Sequence, residues 1–168
     1  EIKKTAGEIP VIDVISPTVR FALSQTQTNI LGVIGTRATI NSRAYQAQID
    51  RLDRHIDVVT KACPLFVPLV EEGLIDHQAT KLIAAKYLGP FNSKNIDTVI
   101  LGCTHYPILL KTIKKVLRRK IKIINSANPA AVELKKLLER KSLLRTNIKK
   151  PTLKFYVTDA PERAFKIA

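Results

Sequence analysis

An alternation constrains this chain more than any other feature. Short, continuous, β-rich apolar runs are separated by stretches with helical spacing. The runs are Val11–Ile15, Ile30–Ile34, Asp57–Lys61, Asp97–Leu101, Lys120–Ile124 and Leu153–Thr158. They do not alternate apolar with polar, as strands covered on both faces need not. Helices are expected between them. Pro17–Leu23 follows Ser16 as an N-cap, with proline at the first helical position. Thr39–Asp53 has Ile40, Ala44, Ala47 and Ile49 on one side, and Pro64–Glu72 stops at Gly73. Asp76–Tyr87 ends at Gly89-Pro90, Pro107–Arg119 opens on proline, and Pro129–Lys141 carries Val132, Leu134, Leu137 and Leu138. Strand and helix in turn imply an α/β fold with a mostly parallel sheet.

The 168 residues suffice for one domain, or one domain and part of another. The longest apolar runs are too short to cross a bilayer, and no membrane association is expected. No secretory signal is visible behind the polar start Glu1-Ile2-Lys3-Lys4. Two cysteines, Cys63 and Cys103, are too few for a disulfide framework, so a reducing cytoplasm is the expected setting. Three histidines with no ligand-like spacing give no reason to expect a metal. The sequence contains no Met, so processing, or origin as a piece of a longer protein, is expected.

The charge is +14, from 28 basic and 14 acidic residues. Basic residues are densest in 111–122 (KTIKKVLRRKIK) and 135–150. Nucleic acid is the obvious partner for such runs. Yet no helix-turn-helix, zinc-finger, RNP or KH pattern accompanies them, and aromatics are only 5%, too few for stacking platforms. On a helix, Lys111, Lys114, Lys115, Arg118 and Arg119 fall largely opposite Ile113, Val116 and Leu117. A solvated face is the preferred reading, and nucleic acid is not the expected partner.

In open α/β sheets, ligands bind where strand ends lead into helices. Three such loops stand out: 35–39 (GTRAT), 62–68 (ACPLFVP) and 102–107 (GCTHYP). In the last, Gly102 permits a tight turn and Cys103 precedes an expected helix start, where dipole and free N–H groups favour a thiolate. Thr104 adds a hydroxyl. His105 can hold a proton near the thiol or orient a substrate amine. A thiol in this company suits proton transfer or nucleophilic attack, although an inert buried cysteine fits local chemistry equally well. Cys63 is followed by apolar residues and reads as packing. Glu71 and Glu72 end a helix and read as solvent-facing, unless one turns inward to pair with His105. Thr36 and Thr39 frame a small anion cradle that lacks the glycines and lysine of a P-loop.

Taken together, IPVIDVISP (9–17), GVIGTRATINS (32–42), ACPLFVPLVEEG (62–73), DTVILGCTHYP (97–107), IINSANPAA (123–131) and FYVTDAPER (155–163) resemble glutamate racemase, of the aspartate/glutamate racemase family. The resemblance spans nearly the whole chain in the family's order. It implies an isomerase that interconverts L- and D-glutamate without a cofactor, through two cysteines, in the cytoplasm. The D-glutamate would serve peptidoglycan synthesis, and with it cell-wall biogenesis and cell shape.

The implied fold is two similar α/β domains with mostly parallel sheets. Residues 17–126 resemble a complete second domain; 1–16 and 127–168 resemble the remainder of the first. By resemblance Cys103 is one of the two catalytic thiols, with His105 and Glu71 assisting. Thr104, His105, Thr36 and Thr39 hold the substrate, and Cys63 is not the other thiol. The glycine-rich opening strand–loop and the Cys-Asn-Thr strand that supplies the opposing thiol in the family do not occur here. The expectation is therefore a fragment inactive on its own. Homodimers are common in the family and are compatible with this chain. A related aspartate racemase, another isomerase of the superfamily, or a non-catalytic basic binding module are the rival readings.

Overall fold

The computed structural model describes residues 2–117, 121–145, 150–154 and 156. Four strands form one parallel sheet: β1 (Ile30–Gly35), β2 (Asp57–Ala62), β3 (Thr98–Leu101) and β4 (Lys122–Asn125), in the order β2-β1-β3-β4. Ile30 pairs with Asp57, Leu31 with Thr98, and Thr98 with Lys122. The helices are α1 (Ile2–Thr5), α2 (Ile15–Leu23), α3 (Arg37–Asn41), α4 (Ala44–Leu52), α5 (Phe66–Glu71), α6 (Gln78–Leu88), α7 (Leu110–Val116) and α8 (Ala127–Arg140). Gly89–Ser93 and Tyr106–Leu109 are 3-10 turns.

Strands this apolar need cover on both faces, and they have it. Leu31, Val33, Ile100 and Ile124 pack with Val19 and Ala22 of α2 and Tyr45 and Ile49 of α4. Ile34, Val99, Leu101 and Cys63 pack on the other face with Phe66, Leu69, Ala84, Leu88 and Ile113. The chain steps one way from β1 to β2, then back past β1 to β3. Crossovers of one hand must then lie on opposite faces, as α4 and the pair α5–α6 do. The reversal makes the junction of β1 and β3 the topological switch point.

Several expected boundaries are corrected. Val11–Ile15 is not a strand: residues 10–13 are irregular and Ile15 opens α2. Asp13 decides this, because its carboxylate accepts from the N–H groups of Ile15 and Ser16 and from the Ser16 hydroxyl, at 3.0, 2.6 and 2.9 Å. Asp13, not Ser16, therefore satisfies the helix start. The expected Thr39–Asp53 helix is two helices. Arg43 takes a left-handed conformation (φ 54°), and the Ser42 hydroxyl donates to Thr39 O and accepts from Ala44 N–H. The expected stop at Gly89-Pro90 is kept: α6 ends at Leu88, and Gly89–Ser93 follow as a 3-10 turn. Of the expected Leu153–Thr158 strand, residues 153, 154 and 156 are not in a strand, and the rest lie outside the described residues. So do Arg118, Arg119 and Lys120.

Two features hold the sheet's lower edge and middle. Asp97 accepts from the Thr26 hydroxyl and the N–H groups of Gln27 and Thr28, tying the loop before β1 to the start of β3. Burial pushes this carboxyl up, but the hydrogen bonds outweigh it and hold it below the usual carboxylate range. At mid-sheet, a β-carbon on Gly32 would sit 2.7 Å from the Phe91 ring and 2.9 Å from Val99. Gly32→Ala is expected to destabilise the chain by about 1–3 kcal/mol through overpacking, read as a lower urea midpoint.

Candidate active site

The three loops singled out in the sequence emerge together at the carboxyl ends of β1, β2 and β3. Gly102 N–H donates to Ile34 O at 2.7 Å and Cys63 N–H to Gly35 O at 2.8 Å, so both neighbouring loops are tied to the end of β1. A β-carbon on Gly102 would meet Ile34 O at 3.0 Å, the Tyr45 ring at 3.1 Å and Thr39 Cγ2 at 3.3 Å. Glycine at 102 thus lets the Cys103 loop lie against Thr39 and Tyr45.

Cys103, His105 and Glu71 form a line. Cys103 Sγ lies 3.9 Å from His105 Nδ1, and His105 Nε2 lies 3.5 Å from Glu71 Oε1. Cys103 and His105 are half-buried, and Glu71, not Glu72, is the acid that turns toward the imidazole. A proton on Nε2 faces the carboxylate and leaves Nδ1 an acceptor facing the thiol. The carboxylate can then stabilise an imidazolium formed when the thiol gives up its proton.

Thr36 has a role the sequence reading missed. It is the N-cap of α3, its hydroxyl accepting from Thr39 N–H at 3.2 Å and bonding the Thr39 hydroxyl at 3.0 Å. The T-x-x-T spacing carried that signal. Thr104 is exposed on the turn beside Cys103. The expected helix start at Pro107, shortly after Cys103, is also corrected. A 3-10 turn, Tyr106–Leu109, intervenes, and α7 begins only at Leu110. Pro107 in the turn and its i→i+3 spacing delay the α-helix.

Cys63 is fully buried. Burial pushes its thiol up to about 12, with Lys61 opposing only weakly. Tyr45 and Tyr106, both buried, are likewise pushed up, mainly by burial and then by neighbouring thiols. Both phenols therefore stay protonated, and that of Tyr106 donates to the Cys63 carbonyl. His77 is exposed, and its Nδ1 accepts from Ala79 N–H and caps α6. A hollow of about 420 Å³ between α2 and α8, lined by Pro17, Phe21, Pro129 and Val132, includes none of the candidate residues. Among the described residues, no group of three His, Cys, Asp or Glu is placed to hold a metal, and no helix is long and apolar enough to cross a membrane.

This geometry, a thiol–imidazole–carboxylate line at the switch point of a parallel sheet, coincides with a family match. The model of the Asp/Glu/Hydantoin racemase family matches residues 1–134. The chain belongs to this family. A glutamate racemase of Chlorobium phaeobacteroides is 49% identical over 162 residues, covering 96% of this chain and 60% of the relative. The crystal structure of the Francisella tularensis glutamate racemase in complex with D-glutamate superposes with a TM-score of 0.89 at 42% identity. It covers 99% of this chain and 61% of that one. A Bacillus anthracis glutamate racemase isoform gives 0.81 at 40% identity, covering 87% and 55%. The chain spans about 60% of the length of the curated relatives it matches.

The two thiols of this family member are expected to differ sharply. Iodoacetamide at pH 8 should modify Cys103 and spare Cys63 until the chain is unfolded, which peptide mass mapping reads. Cys63 also sets an alkaline limit. Its unfolded thiol ionises near 9.0, while the folded one holds its proton to about 12. In that window the unfolded chain releases a proton that the folded chain keeps. Stability is therefore intact below pH 9 and falls as pH rises toward 12. The denaturation midpoint should drop more steeply between pH 8 and 10.5 in the native chain than in Cys63→Ala.

Proposed function

We propose that these residues form one wall of a glutamate racemase site, and that residues 17–126 are one domain, with 1–16 and 127–168 belonging to another. Cys103 carries the proton on this wall. As a thiolate it takes the α-proton of glutamate: the Cα–H bond breaks, an S–H bond forms, and the electron pair passes into the substrate carboxylate. In the reverse sense the thiol returns a proton to the same face. His105, held against Glu71, exchanges a proton with the thiol and resets it. Thr36, Thr39 and Thr104 supply hydroxyls and N–H groups for the substrate's carboxylates. No cofactor is assigned. The product D-glutamate would serve cytoplasmic peptidoglycan synthesis.

The alignment of Cys103, His105 and Glu71 beside the Thr36–Thr39 cradle supports this reading most, and the names of the relatives favour glutamate over aspartate. Inversion needs a proton carrier on each side of Cα. Cys63 is fully buried, so among the described residues no second thiol stands opposite Cys103. The isolated chain is accordingly expected to form no D-glutamate from L-glutamate in a coupled assay. Glutamate should slow the alkylation of Cys103 more than aspartate does. Cys103-dependent racemisation by the chain alone overturns the one-wall reading; equal protection by the two amino acids overturns the substrate choice.

A further inference from the structure

Glu71 and His105 sit on separate elements, yet their spacing has to be kept. Glu71 is the last residue of α5, and His105 immediately precedes the turn Tyr106–Leu109. Their side chains are partly exposed, 40% and 27%. An ion pair this open is worth little by itself and does not hold two elements in register. Something stiffer must set the distance.

Tyr106 is fully buried between the two elements. Its hydroxyl donates to the Cys63 carbonyl at 2.8 Å. The same carbonyl accepts from Phe66 N–H at 3.1 Å, the bond that turns the chain into α5. The Tyr106 ring meets the Phe66 ring edge-on, with centroids 5.2 Å apart, and Phe66 is braced in turn by Tyr87 at 5.5 Å. At its other end Tyr106 N–H donates to Cys103 O at 3.3 Å, closing the turn that carries the thiol and the imidazole. One side chain thus joins the first turn of α5 to the residue next to His105. Edge-on aromatic contacts and a buried hydrogen bond together fix both distance and orientation.

We propose that Tyr106 is a positioning residue that sets the His105–Glu71 spacing, and through it the proton exchange at Cys103, by pegging the start of α5 to the Cys103 turn. The proposal rests on the reading of Cys103, His105 and Glu71 as one proton-transfer wall. Its hydroxyl stays protonated because burial pushes the phenol up, so the peg holds across the neutral and alkaline range. Tyr106→Phe removes the donor but leaves the Cys63 carbonyl its bond from Phe66, so no acceptor is stranded.

The test reads the rate of Cys103 alkylation in the whole chain without substrate, which does not depend on the chain being a racemase. Tyr106→Phe should slow the reaction at pH 7 by about 3-fold to 10-fold, the worth of one hydrogen bond. The effect should shrink below about 1.5-fold in a His105→Asn background, because a positioning residue acts through the histidine. Protection of Cys63 from the same reagent reports that the fold is intact. If Tyr106→Phe exposes Cys63, the decision passes to Phe66→Leu, which keeps the hydroxyl bond and loses the ring contact; it too should slow Cys103 only when His105 is present. An unchanged rate, or a loss of the same size with and without His105, overturns the proposal. Loss of glutamate protection with these rate effects intact would instead count against the glutamate reading alone.

Discussion

The hydrogen bond from Gly102 N–H to Ile34 O is the interaction on which the candidate site depends. It is the last tie between β1 and β3 before their loops diverge on either side of the switch point. At 2.7 Å, and with no side chain on Gly102, it lets the Cys103 turn lie against Thr39 and the Tyr45 ring. Any side chain there would press on the Ile34 carbonyl and on Tyr45 at once. The two loops with the most chemistry, 35–39 and 102–107, therefore share one anchoring point. That anchor belongs to the sheet, which has cores on both faces. A site that must hold a proton carrier to within a fraction of an ångström benefits from such a base.

The two cysteines illustrate how position, rather than residue type, decides chemistry. Both follow a strand at the same end of the sheet. Cys63 follows β2 and packs against Phe66 of α5 in the core; its Sγ donates to the Lys61 carbonyl of its own strand at 3.8 Å, and its thiol is held far from ionisation. Cys103 follows β3, on a turn that stays half-open and places an imidazole at 3.9 Å. The same covering of the sheet that stabilises the fold silences one thiol, and the same reversal of strand order that opens the switch point leaves the other accessible.

Much of this was legible in the sequence, for reasons that can be named. The four sheet strands read clearly because burial on both faces leaves no charged positions in β1 or β3. The run Val11–Ile15 looked alike but has an aspartate in its centre, and Asp13 captures the N–H groups that open α2. The helix break at Arg43 was hidden because apolar spacing continues through it, while the Ser42 hydroxyl and the left-handed residue interrupt the backbone. In the site, Cys103 and His105 read together because they are neighbours in the chain. Glu71 against Glu72 was undecidable locally, since the choice depends on how α5 lies against a turn far away in sequence. Tyr106 and Tyr45 gave no signal of their own: a buried tyrosine looks like packing until the partner of its hydroxyl or ring is known.

The line Glu71–His105–Cys103 has a direction that bears on stereochemistry. The histidine faces the thiol with one nitrogen and the carboxylate with the other. In the proposed site such an arrangement would move a proton along a single path and deliver it to a single face of a bound α-carbon. Retention is all it can achieve by itself, because the proton that leaves along the path returns along it. Inversion requires the carbanion to outlast the exchange and to meet a different acid on its far side. The proposal that these residues are one wall of a racemase is supported by the order of the arrangement, an imidazole between thiol and carboxylate, as well as by the number of thiols. The stiffness that Tyr106 and Phe66 give to this wall matters for the same reason: a proton carrier acting from a fixed side is useful to an inverting enzyme only if it stays on that side.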